Sequence, residues 1–239
     1  MDSYTFKPVG IIQSCFKEKF AIPRQPGLVK EATATLTLLP PYNRVEALDG
    51  IDEFSHLWLS FVFHATLDKN KQAEWKPKVR PPRLGGNQSV GVFASRSMFR
   101  PNPIGLSVVE LISVDRSATT PVLHLRGVDI LDGTPVLDIK PYLSYVDAVP
   151  EAKDGFAPNA PEKKLSVQFT ERAQQEYREL HSAYPELQQL IIHLLELDPR
   201  PAYQGKKKPQ AEYGMRLYDF NIKWRVNGKD LEVLSISSV

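Results

Sequence analysis

Residues 31–38 read EATATLTL, an unbroken alternation that places Ala32, Ala34, Leu36 and Leu38 on one side of an extended chain and Glu31, Thr33, Thr35 and Thr37 on the other. A period of two marks a strand with one buried face. The strand is predicted to run over residues 31–39. Outward from it, short strands are predicted over residues 6–14, 54–64, 89–94, 105–114, 122–131 and 134–139, with Pro, Gly and Asp punctuating the intervals. Asp132-Gly133, between two apolar runs, predicts a hairpin, because these residues tolerate the positive φ of tight hairpin turns. No long amphipathic helix separates the strands. A mainly β N-terminal domain over residues 1–146, closed into a barrel rather than doubly wound, is therefore expected.

The pattern changes beyond it. Residues 147–163, DAVPEAKDGFAPNAPEK, hold three prolines, a glycine and four alanines and almost no large apolar residue, the composition of a linker. Thr170 is placed to cap a helix in which Ala173, Tyr177, Leu180 and Tyr184 share one face. A second helix follows, with Leu187, Leu190, Ile191, Leu194 and Leu195 at the same kind of spacing, ending before Pro199. Phe220, Ile222, Trp224 and Val226 then alternate with polar residues, and Asn227-Gly228 turns the chain back toward residues 231–236. Residues 164–239 are thus expected to form a small α+β C-terminal domain.

Composition excludes several classes. Of 239 residues, 42% are hydrophobic and 24% charged, ordinary values that argue against disorder, a fibre or a membrane protein. The most apolar stretch, residues 57–63, is far short of the ~20 residues of a membrane span. The single cysteine, Cys15, allows no intrachain disulfide and no thiolate zinc cluster, and it reads as a structural thiol. With no secretory pattern in the first twenty residues, a cytoplasmic protein is expected. His56, His64, His124, His181 and His193 show no metal-ligand spacing, so no metal is expected. There is no G-x-G-x-x-G, Walker lysine loop or G-x-S-x-G elbow.

The net charge is only +2, so any basic footprint must be local. One exists. Residues 75–109, WKPKVRPPRLGGNQSVGVFASRSMFRPNPIGLSVV, contain Lys76, Lys78, Arg80, Arg83, Arg96 and Arg100 and no acidic residue. A solvated loop with arginine stems lying on apolar surface is one reading. The density of Pro, Gly, Asn and Ser favours another, a rigid loop that presents amides and guanidinium groups to an anion. Further on, Asp132 reads equally as a turn former or a functional carboxylate, whereas Asp138 interrupts an apolar strand, which points to a buried or site-facing role.

Five motifs taken together, PRQPG at 23–27, DEFSHLWLSFVFH at 52–64, RPPRLGGN at 80–87, GVFASRSMFRPNPIGLS at 91–107 and DGTPVLDIKPYL at 132–143, closely resemble the TsaA family, also called TrmO. LDPRPAY at 197–203 and DFNIKWRV at 219–226 extend the resemblance over essentially the whole chain. It implies a β-barrel methyltransferase that binds S-adenosylmethionine outside the Rossmann fold. It also implies a homodimer with the cofactor near the dimer interface, acting on N6-threonylcarbamoyladenosine beside the anticodon of threonine tRNA. Carried over residue by residue, cofactor contacts fall on Arg24, Gln25, Pro26, His64, Arg96, Leu106, Arg126, Gly127, Val128 and Asp129.

Methyl transfer from a sulfonium is an in-line displacement, so the protein must chiefly align donor and acceptor. The acceptor nitrogen must also lose a proton, and Asp138 and Tyr142 are the candidate general bases, with backbone or substrate carbonyls as alternatives. The substrate's threonine carboxylate calls for a cation such as Arg100 or Arg200, although Arg200 reads equally as a cap for the helix ending near Asp198. Tyr203 is placed either to stack on a splayed base or to pack between domains. Lys206, Lys207 and Lys208 read as phosphate contacts. A non-catalytic RNA-binding adaptor responsive to S-adenosylmethionine is the alternative to an RNA methyltransferase, and a methyltransferase or hydrolase of small molecules is a third option.

Overall fold

The computed structural model describes residues 3–67, 75–117, 119–200 and 211–239. Tyr203, Lys206, Lys207 and Lys208 lie outside the described residues.

Strands β1 (Gly10–Ser14), β2 (Thr33–Leu38) and β3 (His56–Val62) are followed by a two-residue ribbon, β4 (Lys78–Val79) with β5 (Val90–Gly91). Then come β6 (Ile104–Asp115), β7 (Val122–Arg126) and β8 (Pro135–Pro141). Six of them close into an antiparallel barrel in the order β1-β2-β7-β6-β3-β8, which leaves no free edge. The alternation over 31–38 settles as the sequence predicts: Ala32, Ala34, Leu36 and Leu38 are buried. They share one apolar cluster with Leu57, Leu59 and Phe61 of β3 and Leu123 and Leu125 of β7. Gly105 makes room in this interior, since a Cβ there would lie 2.3 Å from the Phe61 ring.

Two expectations are corrected. Residues 89–94 supply only the short β5, after which Val92–Ala94 forms a 3-10 turn in which Val92 alone is buried. Asp132-Gly133 joins no hairpin: β7 pairs with β2 and β6, and β8 with β1 and β3. Val128 and Ile130, both fully buried, carry the chain across the barrel end instead. There the Asp132 amide donates to the Phe16 carbonyl at 2.9 Å and the Gly133 amide to the Ile12 carbonyl at 2.8 Å. Asp132 also accepts from the Ser14 amide and pairs with Lys17 at 3.0 Å, so its carboxylate braces the crossing.

After a single turn, α1 (Ser144–Asp147), come β9 (Ser166–Phe169), α2 (Glu171–Leu180), α3 (Leu187–Glu196), β10 (Glu212–Leu217), β11 (Phe220–Asn227) and β12 (Asp230–Ser238). The sheet order is β10-β11-β12-β9, with β9 parallel to its neighbour. Thr170 caps α2, its hydroxyl accepting from the Ala173 amide at 3.1 Å. The buried faces of the two helices, from Ala173 and Tyr177 to Leu195, join Ile222, Trp224 and Val233 of the sheet. That core is continuous with the barrel's. The Tyr218 amide donates to the Cys15 carbonyl at 2.8 Å, and the Phe20 and Trp224 rings stack 6.5 Å apart. Burial pushes the Cys15 thiol up to about 12, which keeps it protonated and unreactive.

Candidate active site

One end of the barrel, where β3 and β7 finish and β6 begins, gathers most of the residues expected to bind a cofactor. The PRQPG loop is tied to it by its backbone: the Gly27 amide donates to the Gly127 carbonyl at 2.8 Å. Gly127 has φ of 69°, and a Cβ on it would lie 3.4 Å from the Gly27 Cα, so both conformation and space call for glycine. Arg96 donates to the Gln25 side-chain oxygen, which joins this loop to the acid-free segment.

Beneath them Ser107 donates to Asp129 Oδ1 at 2.6 Å. Burial raises the Asp129 carboxyl to about 6, with the Ser107 hydroxyl, the aspartate's own backbone and the Arg96 charge pulling the other way. The sequence did not single out Ser107. Its signal is parity: Gly105, Ser107 and Val109 form the inward row of β6, and a hydroxyl in an apolar row requires a partner.

His64 lies at the same end. Thr134 donates its hydroxyl proton to the Leu131 carbonyl at 2.6 Å, so the 3.3 Å approach between Thr134 and His64 Nδ1 has the ring donating and Nε2 left as an acceptor. Burial, followed by the charge of Lys19, lowers the His64 pKa and favours the neutral ring.

Other expected residues are placed differently. Val128 is fully buried, and its amide donates to the Ala32 carbonyl, so its side chain is core. Arg24 turns to the domain junction, where with Asp198, Leu194 and Pro199 it lines a cavity of ≈ 60 Å³; burial lowers its pKa, opposed by Asp198. Arg126 reaches Glu186 at 3.5 Å, and its Nε is buried without a partner among the described residues. Pro26 stays in the tied loop. Leu106 points outward, 55% exposed, and is paired through Ser60 of β3 with Asp138 of β8. These three form one row on the outer wall, spanning about 10 Å across two strand spacings.

Asp138 itself is ion-paired with Lys140 at 2.7 Å and half-exposed, so of its two expected roles, buried or site-facing, the buried one is corrected: the residue sits in the outward register of β8. Tyr142 lies at the opposite barrel end, its amide donating to the His56 carbonyl and its ring against His56 and Trp58. Arg100 donates to the Val92 and Ser95 carbonyls at 3.2 and 2.7 Å, and so holds the 3-10 turn. Arg200 grips Asp198 with two hydrogen bonds of 2.7 and 2.9 Å, the helix-end role. Among the described residues no group of side chains is arranged to hold a metal ion.

A closed antiparallel barrel whose polar mouth is built from the 23–27 and 91–103 segments, the start of β6 and residues 126–129 defines a β-barrel class of site, distinct from a Rossmann one. The model of the tRNA-methyltransferase O N-terminal domain matches residues 11–148 and that of the TrmO C-terminal domain residues 162–239, and the chain belongs to the tRNA-methyltransferase O family. It is 47% identical over 236 residues to the tRNA (adenine(37)-N6)-methyltransferase of Escherichia coli K12, covering 99% of each chain. The protein of the same name from Eikenella corrodens is 45% identical over 173 residues, covering 72% of this chain and 91% of that one. The crystal structure of TrmO from Pseudomonas aeruginosa superposes with a TM-score of 0.80 at 39% identity, covering 99% of both chains.

Proposed function

We propose that this chain is an S-adenosylmethionine-dependent methyltransferase that methylates N6 of N6-threonylcarbamoyladenosine beside the anticodon of threonine tRNA. The observation that carries the reading is the assembly of Gln25, Arg96, Ser107, Gly127 and Asp129 at one barrel mouth in a chain whose family models cover both its parts. Residues 1–146 form the methyltransferase domain and 164–239 the C-terminal domain, with 147–163 between them.

The donor set fits the cofactor. A sulfonium amino acid carries two cationic groups and a carboxylate, and the mouth offers a largely desolvated carboxyl at Asp129 and the guanidinium group of Arg96. Leu106 supplies apolar wall and neutral His64 an acceptor nitrogen. When bound, the cofactor supplies an electrophilic methyl group.

The chain's own residues align the acceptor, exclude water and receive the proton released from N6. Asp138 is the proposed acceptor of that proton, on the same wall as Leu106 and with its pairing to Lys140 exchangeable at a half-exposed site, whereas Tyr142, at the opposite barrel end, is out of reach. Arg100 is the proposed cation for the threonine carboxylate, since Arg200 is closed on Asp198, with Tyr203 a stacking residue and Lys206, Lys207 and Lys208 phosphate contacts. The protein acts in the cytoplasm as a homodimer, in which a second copy covers the exposed run of Leu143, Tyr145, Val146 and Val149.

The test is mass spectrometry of the anticodon loop after incubation with the purified protein and the cofactor, using tRNA from cells with and without the threonylcarbamoyl modification. A gain of one methyl group, in modified threonine tRNA only, is expected. No gain in either tRNA would refute the enzyme, and equal gain in both would refute the substrate.

A further inference from the structure

Phe93 is 74% exposed, beside the buried Val92 and the exposed Ala94, in a turn whose backbone is tightly held on both sides. Two bonds from Arg100 fix the carbonyls of Val92 and Ser95, and Ser95 Oγ adds a third to Val92 at 2.8 Å. The Arg100 guanidinium also lies 5.8 Å from the Phe93 ring centroid. An exposed phenyl ring forgoes about 2 kcal/mol of burial. Here it is displayed on a rigid turn beside a cation, within a 35-residue stretch that contains six basic residues and no acidic one. Trp75, 51% exposed, stands at the entrance of the same β4-β5 ribbon.

From this arrangement we infer that Phe93 is a stacking platform for an unpaired base of the substrate RNA loop, next to the adenosine that is methylated. The inference rests on the reading of the chain as a tRNA methyltransferase. Aromatic faces accept any base, while surrounding cations hold the phosphates, so the pairing of a bare ring with an acid-free rim matches single-stranded RNA. Arg100, engaged by two carbonyls, aims the ring and leaves its far face open.

The test measures binding of an anticodon stem-loop carrying 2-aminopurine on the 3′ side of the target adenosine. For F93L, which keeps an apolar side chain but removes the ring, affinity is expected to fall roughly 5- to 100-fold and quenching of the probe to disappear. F93W should retain both. Cofactor affinity and sedimentation are expected to match the wild type in both variants. Wild-type RNA affinity and quenching in F93L would overturn the inference while leaving the methyltransferase reading intact. Loss of dimer in F93L would overturn it too, by assigning the ring to a protein interface. Absence of methylation by the wild-type protein refutes the functional reading separately.

Discussion

Replacing Asp129 with asparagine tests whether the barrel mouth holds a carboxyl out of water. The side chain is half-buried and its carboxyl is raised from 3.8 to about 6, with desolvation as the leading cause. An acid with a raised folded-state pKa favours folding at low pH and loses that advantage as pH climbs to the folded value. The unfolded chain releases its proton near 3.8, while the folded protein keeps it until about 6. The full difference is worth about 3 kcal/mol. Asparagine has no proton to lose and retains an oxygen that accepts from Ser107. D129N should therefore exceed the wild type in unfolding free energy by about 1 kcal/mol at pH 4.5, widening to about 3 kcal/mol at pH 7.5. Urea titrations at several pH values, followed by tryptophan fluorescence, read this difference directly and cancel the contributions of other carboxylates. A gap that stays constant between pH 4.5 and 7.5 would refute the assignment. The same ionisation predicts that the cationic cofactor binds wild-type protein up to about tenfold more tightly at pH 7 than at pH 5, a trend that D129N should lose in calorimetric titrations.

G105A should lower stability by about 1–3 kcal/mol, because the added methyl meets the ring of its cross-strand partner Phe61, and thermal unfolding reads it. D138N is expected to slow single-turnover methylation by about 10²-fold or more, while Y142F, at the opposite barrel end, should leave the rate unchanged; a wild-type rate in D138N would eliminate Asp138 as the base. Neutralising Lys206, Lys207 and Lys208 should weaken tRNA binding and flatten the plot of log affinity against log salt by up to about 2. Equal affinity across salt concentrations would remove that role.

The barrel was legible because its strands alternate cleanly, as in Ala32 to Leu38, and because a chain without intervening helices has few ways to bury several one-faced strands. The capped helix at Thr170 was legible for a local reason, a hydroxyl three residues before an amide it can satisfy. Asp132-Gly133 misled because hairpin chemistry reports a turn, not which strands the turn joins. Ile12 and Ser14 of β1, with Phe16 just beyond it, capture it through bonds separated by more than a hundred residues in sequence. Asp138 misled because a carboxylate in an apolar strand suggests burial unless the outward row of that strand is known, and the bulge between Ser60 and Phe61 shifts that row.

The same limit shapes the site. Leu106 and Ser107 are adjacent in one motif, yet they point to opposite faces of β6: Leu106 joins Ser60 and Asp138 on the wall, and Ser107 joins Asp129 beneath the mouth. A one-residue slip of β6 would exchange the two, putting the leucine in the mouth and stranding the desolvated Asp129 without its donor. The cost of that stranded group fixes the register more firmly than the apolar residues alone could. Phe61 against Gly105 adds to it, since any other residue of β6 opposite the ring would collide. On the proposed function, that register keeps Ser107 with Asp129 at the mouth that receives the cofactor and leaves Leu106 on the adjoining wall.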